Sequence, residues 1–190
     1  MTPILMAGPA LEPLSLEEAR AWLRLDASDE DALVQSLIKA ARCAVEEATR
    51  MALIAQKWRL RLDGWPADRI IHLPLAPILS LDAMRTINAA GAPVVVDLSL
   101  FHLEMSRAPK IFVTGSPAQP GRLREGIEID LTAGYGTSSA NVPAPLLAAM
   151  RLLIAHWYER RGDALHENNV ASLPPAIAAA IAPYRRMRLR

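Results

Sequence analysis

Cysteine is nearly absent from this sequence, which has one, Cys43, among 190 residues. A single cysteine cannot form an intramolecular disulfide, and the first residues lack the basic start and apolar stretch of a secretory signal, so we expect a protein kept in a reducing cytoplasm. No apolar run approaches about 18 residues, and the sequence therefore predicts no membrane-spanning helix. Neither charge is in excess, because 21 basic residues face 20 acidic ones. This balance excludes a protein whose whole surface binds nucleic acid.

Hydrophobic residues, in contrast, are abundant. They make up 52% of the chain, while charged residues make up 22%, and this composition excludes intrinsic disorder. A chain of this length can bury a substantial core, so we expect one domain or one domain with an insertion.

The N-terminal part of the sequence predicts two helices. The motif Ser15-Leu16-Glu17-Glu18 fits a capping box and predicts a short helix that ends near Arg24. Ser28 and the acidic residues 29–31 supply a second helix start, because carboxylates stabilise the positive end of the helix dipole. Apolar residues then recur at helical spacing, which predicts that one face of this long helix contacts the core or a partner. The residues of this stripe are Leu33, Leu37, Ala40, Ala41, Ala44, Val45 and Ala48.

The middle of the chain predicts an antiparallel, meandering β unit. After Thr49 the hydrophobic period falls to two residues, since Trp58, Leu60 and Leu62 alternate with charged residues. Turn-forming residues separate six further short strands. We place these strands at residues 69–73, 78–88, 94–97, 100–104, 110–114 and 126–132, with a hairpin tip at 89–91.

Helical periodicity returns at Pro145 and predicts a long third helix that ends at Arg160-Arg161-Gly162. A short fourth helix starts at Pro174-Pro175 and stops near Pro183. The predicted fold class is therefore α+β: a small helical bundle formed by residues 1–54 and 143–190, into which residues 55–142 are inserted as the antiparallel β unit. We assign the helical core or a subunit interface to Leu33, Leu37, Val45, Leu147, Met150, Ile154 and Trp157.

Motifs for catalysis and for cofactor binding are missing or incomplete. Residues 26–31 superficially resemble a calcium loop, but Asp31 replaces the turn glycine and Leu37 replaces the bidentate acid, so helix capping is the better account. Gly134-Tyr135-Gly136 lacks the third glycine of a dinucleotide loop and predicts a chain reversal. No phosphate-binding loop and no nucleophile elbow occurs. We therefore expect no cofactor and no metal.

An enzymatic function would depend on three scattered residues. His156 and Glu159 are three positions apart and can share a helix face, but two ligands are too few for a metal site. Cys43 lies near an apolar stripe, where a small buried thiol is commoner than a nucleophile. We expect a protein that is not an enzyme, and the catalytic hypothesis requires a deep pocket that brings these three residues together.

The end of the chain is the most informative functional feature, because four arginines there are interleaved with side chains that can act as apolar anchors. Such a segment can dock on another protein, bind phosphates of nucleic acid, or be a solvated terminus. The residues alone leave these three alternatives open. This arginine-rich end consists of Tyr184, Arg185, Arg186, Met187, Arg188, Leu189 and Arg190.

Four segments follow one another in an order known from one family. They are residues 15–24, residues 29–34 at the start of a long helix, Leu131-Thr132-Ala133-Gly134-Tyr135-Gly136, and Pro143-x-Pro145-Leu146-Leu147 opening a helix to His156-Trp157-Tyr158. Their succession resembles the head-tail connector, or adaptor, proteins of long-tailed phages and gene transfer agents. The family order of two helices, a β-rich insertion, a long third helix and a C-terminal helix or tail covers most of this chain.

The resemblance implies a structural role without catalytic residues. Family members form a ring, commonly of twelve copies, beneath the portal of a DNA-filled head, continue its channel and present a surface to the next neck or tail protein. The partners implied are the portal protein, a downstream stopper or tail terminator, further copies of this chain, and the double-stranded DNA in the lumen, bound without sequence specificity.

The family's portal-binding element is the C-terminal segment, which corresponds here to residues 174–190. The implied location is the neck of a phage-like particle, assembled in the bacterial cytoplasm, and no membrane is expected to be a partner. The alternative function is a small DNA-binding module that uses the arginine-rich end.

Overall fold

A computed structural model describes residues 3–160 and 173–185. These residues form two compact units. The β unit contains the described residues up to Ala10 together with Ile54–Thr137, and the helical unit contains Leu11–Leu53 together with the described residues from Ser138 onward. Helices and antiparallel sheets are both present, which confirms the predicted α+β class.

Within the described residues, four α-helices form the helical unit. They are α1 (Leu16–Leu23), α2 (Asp31–Thr49), α3 (Ala144–Glu159) and α4 (Pro175–Ile181). The capping box predicted for α1 is present: the Glu18 amide donates to the Ser15 hydroxyl at 3.1 Å, and the Ser15 amide donates to the Glu18 carboxylate at 2.9 Å. Pro145 lies in the first turn of α3, where its missing amide hydrogen leaves no bond unmade. Gly162, the predicted cap of α3, lies outside the described residues.

The start of α2 differs from the prediction. Ser28 does not cap the helix through its side chain, and the N-cap residue is Glu30, which makes no side-chain cap bond. The Glu30 carboxylate instead accepts a hydrogen bond from the Tyr158 hydroxyl on α3. Asp31 pairs with Arg20 of α1 at 3.3 Å. These acidic residues therefore connect α2 to its neighbouring helices, a role that local sequence does not reveal.

The buried stripe of α2 agrees with the predicted stripe at Ala41 and Val45, but in the first half of the helix it lies one position later, at Val34 and Ile38. Leu33 and Leu37 are only partly buried, and Cys43, expected at a buried position, is exposed. Because α2 carries apolar residues over a wide arc, the helical period alone does not fix which side faces inward. The apolar residues that the helix buries are Val34, Ile38, Ala41 and Val45.

Antiparallel strands form two sheets in the β unit. The strands are β1 (Ile4–Ala7), β2 (Gln56–Leu62), β3 (Ile70–His72), β4 (Ile78–Ile87), β5 (Pro93–Val96), β6 (Phe101–Glu104), β7 (Lys110–Val113) and β8 (Ile127–Ala133). One sheet has the order β1-β2-β8-β4-β5 and the other the order β3-β7-β6. The predicted meander is therefore wrong, because β8 comes last along the chain but lies between β2 and β4.

The first strand, β1, is absent from the sequence prediction. It pairs with β2, with Ile4 opposite Arg59 and Leu5 opposite Trp58, and a bulge separates Leu5 from Ala7. The four residues of β1 show no alternation of apolar and polar side chains, so the pattern that identifies other strands is missing here. The strand forms because β2 offers it a row of unpaired backbone groups.

The central strand β8 shows how alternation builds the core. Ile127, Ile129 and Leu131 are buried, while the residues between them are partly exposed. Beyond the strand, Gly134 has a φ of +148°, and a Cβ on it would lie 2.6 Å from the backbone of Ile54. Only glycine fits this close approach.

Candidate assembly surfaces

The polar face of the five-stranded sheet carries a network of ion pairs. Asp130 accepts from Arg59 Nε at 2.6 Å and Nη2 at 2.9 Å, and from Arg85 Nη1 at 2.5 Å. Glu128 contacts Arg59 at 3.1 Å and Arg61 at 3.3 Å. The hydrogen bond from Arg59, supported by Arg85, outweighs partial burial and holds the pKa of Asp130 below its ordinary value of 3.8. These five charged side chains are thus engaged within the sheet.

The two edge strands of the same sheet, in contrast to its polar face, are uncharged. No charged residue occurs in β1 or in β5. Leu5 on β1 is 49% exposed, and Val95 on β5 is 75% exposed. Edge strands of monomeric proteins are usually protected by charged side chains, prolines or bulges. Here a bulge in β1 and Pro93 in β5 are present, but charge is not.

A buried arginine organises part of the helical unit. Arg42 donates to Glu12 at 2.7 Å and to Glu46 at 2.8 Å. Burial lowers the pKa of Arg42, but the hydrogen bond with Glu12 and the charge of Glu46 outweigh it, so the pKa lies above its ordinary value. The Glu46 carboxylate also accepts from the Leu53 amide at 2.8 Å. This cluster fixes the segment before α1 and the segment after α2 to the same point of α2.

A groove of about 770 Å³ opens beside α1 and the first half of α2. Its two acidic residues are paired, Glu12 with Arg42 at 2.7 Å and Glu18 with Arg151 at 3.4 Å, and its third charged residue, Lys39, is exposed. Its apolar lining consists of Leu11, Leu14, Leu16, Ala32 and Ile38. Neither a histidine nor a cysteine lines the groove.

The residues predicted for the helical core or a subunit interface occupy two environments. Val45, Met150 and Ile154 are buried. The other four are only partly buried and keep surface available to a neighbouring molecule. They are Leu33, Leu37, Leu147 and Trp157.

The C-terminal segment packs on the helical unit as far as it is described. Its helix α4 buries Ile177 and Ile181. Arg185 Nε donates to the carbonyl of Ala48 at 3.3 Å, in the last turn of α2, where a cation complements the negative end of the helix dipole. Tyr184 is partly buried. The remaining residues predicted to bind the portal lie outside the described residues, namely Arg186, Met187, Arg188, Leu189 and Arg190.

The residues considered for catalysis lie on two different helices. Cys43 is exposed on α2, and His156 and Glu159 lie on α3, partly exposed and exposed. Across residues 3–160 and 173–185, no three His, Cys, Asp or Glu side chains form a group that could hold a metal ion. No helix in these same ranges is long and apolar enough to cross a membrane.

The described residues thus include two uncharged sheet edges and an anchored C-terminal helix, each of which can serve as an assembly surface. The family model described as head completion protein matches residues 12–187, and the chain belongs to this family. The resemblance to head-tail connector proteins is thereby confirmed. No curated protein sequence matches the chain.

Three solved chains from gene transfer agent particles have the same fold. A chain from the neck of an empty particle, computed with C6 symmetry, is 32% identical with a TM-score of 0.81, covering 100% of this chain and 98% of that one. A chain from the virion of a native particle is 30% identical, with the same TM-score and coverage. A chain from the neck of a native particle, computed with C12 symmetry, is 32% identical with a TM-score of 0.75, covering 98% of this chain and 97% of that one.

Proposed function

We propose that this chain is a head–tail adaptor in the neck of a phage-like particle. It assembles as a ring beneath the portal, extends the DNA channel and joins the head to the next neck or tail protein. The observation that carries this function is the full-length similarity, at 32% identity, to a chain of a gene transfer agent neck. This work needs binding surfaces and no catalytic step.

A ring of about twelve copies is supported by the symmetry of the similar necks, which were computed with C6 and C12 symmetry. In such a ring one face of each copy meets a different face of its neighbour, and closure prevents an open filament. Each pairwise contact can be modest, because every copy is held by two neighbours and by the portal.

The portal contact is assigned to the C-terminal segment. Its helix α4 is anchored through Ile177 and Ile181, so the arginine-rich end starts from a fixed point at Arg185. Arginines combined with Tyr184 and Leu189 match the composition of binding hot spots, in which charge and apolar anchors act together.

Light scattering of the protein alone and mixed with the portal protein tests this function. We expect the adaptor to join the portal at a fixed multiple. Replacing Arg185, Arg186, Arg188 and Arg190 with Ala should abolish this binding and leave the circular dichroism spectrum unchanged.

A matched control removes the same charge elsewhere, through Ala at the exposed positions Arg24, Arg122, Arg124 and Arg160. Equal loss of portal binding in both variants would mean that net charge, and not the C-terminal segment, makes the contact. Unchanged binding in the first variant would refute the assignment.

The same two variants separate the adaptor from a DNA-binding module. Gel shifts with duplex DNA at two salt concentrations report any phosphate contacts, since such binding weakens steeply with salt. If the arginine-rich end binds DNA tightly and leaves the portal unaffected, the module is the better account. We expect weak DNA binding without sequence preference, as suits a channel wall.

A further inference from the structure

We propose that neighbouring copies in the ring join their five-stranded sheets edge to edge, with β5 of one copy beside β1 of the next. The inference rests on the proposed ring and names the contact that builds it. The occupant of each open edge is thus a second copy of this chain.

The backbone of β5 offers hydrogen-bonding groups to a neighbour at Val95. Pro93, which has no amide hydrogen, lies opposite Ile87, and the Ile87 amide donates to Gly126, on the β8 side of the strand. These two residues are therefore a non-hydrogen-bonded pair. Such pairs alternate with hydrogen-bonded ones along antiparallel strands, so Val95, two positions further, directs its N–H and C=O away from β4.

The same alternation of hydrogen-bonded and non-hydrogen-bonded pairs also determines the direction of the backbone groups of β1. The register of β4 with β8 and the register of β8 with β2 fix which residues of β2 bond to β8. Arg59 is not one of them, so its N–H and C=O point toward β1. Arg59 lies opposite Ile4, so Ile4 bonds to β2. The next residue, Leu5, then directs its N–H and C=O toward the open side.

The direction of the two edge strands fits a ring. All neighbouring strands are antiparallel, and with four reversals between them β1 and β5 run in the same direction. Neighbours in a ring of twelve are related by a rotation of about 30°, which nearly preserves strand direction. The strands β5 and β1 therefore meet as a parallel pair, a regular form of sheet pairing.

The absence of charge and the exposed apolar side chains at the two edges both favour a contact between copies. Leu5 and Val95 expose aliphatic side chains, and neither strand carries a charge that would be desolvated on contact. Each copy supplies one edge of each kind, so a closed ring leaves no edge open. A two-fold dimer would pair β1 with β1 in antiparallel fashion and leave both β5 edges uncovered.

Disulfide cross-linking tests the contact in a Cys43→Ser background of the full chain, using Ile4→Cys and Val95→Cys. Ile4 lies opposite Arg59 and Val95 opposite Arg85, so both side chains project from the polar face of the sheet. After oxidation of the assembled ring, the double variant should give a ladder of cross-linked multimers on a non-reducing gel. A mixture of the two single variants should give dimers only, and each single variant alone should give none. Ala27→Cys, at an exposed position of the helical unit, combined with Val95→Cys controls for random collision.

Cross-linked dimers from one single variant would show two-fold pairing and overturn the inference. A ring seen by light scattering that forms no Ile4–Val95 cross-link above the collision control would also overturn it, while the proposed adaptor function would stand. A protein that stays monomeric even with the portal protein would overturn both.

A backbone variant gives a second readout. Val95→Pro removes the outward N–H without removing a bond to β4, and Val95→Thr keeps that N–H and a β-branched side chain. We expect the dissociation constant for assembly of the proline variant to be at least about tenfold higher than that of the threonine variant. The melting profiles of the two free subunits should match. Equal assembly of the two variants would refute the edge contact.

Discussion

Asp130 and Arg59 form a bidentate ion pair at 2.6 and 2.9 Å although they are 71 positions apart in sequence. The pair joins the central strand β8 to β2 on the polar face of the sheet. Because side chains alternate between the two faces, a slip of one residue would carry Asp130 to the apolar face. The ion pair therefore fixes the register of the strands that hold the sheet together.

Asp130→Asn should lower the free energy of unfolding by about 2 kcal/mol, because it removes the charge that Arg59 and Arg85 share and leaves Arg59 with Glu128 alone. Urea denaturation measures the change. Asp29→Asn is the control, since Asp29 is exposed, and it should change stability by less than about 0.5 kcal/mol. Equal effects of the two substitutions would contradict a stabilising role for the ion pair.

The stability difference between wild type and Asp130→Asn should depend on pH. The folded-state pKa of Asp130 lies below its ordinary value of 3.8, so its contribution is complete above the unfolded pKa and is lost as pH falls through the folded pKa. We expect a constant difference between about pH 5 and 7 that shrinks below about pH 4. Denaturation curves at pH 7, 5 and 3 test this, and a difference that widens at pH 3 would be incompatible with it.

Gly134→Ala should be severely destabilising, by about 3 kcal/mol or more, since its Cβ would meet the backbone of Ile54 at 2.6 Å. The matched substitution is Gly64→Ala, where nothing lies within 4 Å of the added carbon, and its effect should stay within about 1 kcal/mol. Thermal and urea unfolding of both variants measure this contrast. Similar losses in the two proteins would mean that the close approach at Gly134 is relaxed at little cost.

Ser15→Ala should reduce stability by about 1 kcal/mol through loss of the hydrogen bond to the Glu18 amide. Ser15→Asp supplies another side-chain acceptor and should remain within a few tenths of the wild-type value, at about 0.3 kcal/mol. The measurement is the midpoint of urea denaturation. If the alanine and aspartate variants unfold together, the capping box does not contribute to stability.

Local signals in the sequence predicted those elements whose cause is local. The capping box of α1 involves residues three apart, and the alternation of Trp58, Leu60 and Leu62 reflects burial on one side of a strand. The α+β class and seven of the strands follow from such short-range patterns. The resemblance to a structural family, confirmed by the family match over residues 12–187, also depended on short motifs in a fixed order.

Features that depend on distant partners were not predictable in this way. The position of β8 between β2 and β4 is set by contacts such as Arg59 with Asp130, which no local pattern encodes. β1 becomes a strand only through its pairing with β2. The inward side of α2 is chosen by packing, and alanines at many of its positions suit either side.

The candidate assembly surfaces also include one that the sequence predicts and one that it does not. The arginine-rich end is distinctive in composition, while the open edges at Leu5 and Val95 are not, because short uncharged strands carry no distinctive sequence signal. The exposure of these edges follows from the strand order, which local sequence does not encode.

The place of β8 also has a consequence for biosynthesis. On the ribosome, β2 and β4 emerge long before the strand that must lie between them, and α1 and α2 emerge long before α3. A nascent or truncated chain that stops before Ala133 therefore has no completed sheet, since non-local pairing must wait for the last partner. A fragment that ends before β8 therefore lacks the ordered edge strand β5 on which the proposed contact between copies depends.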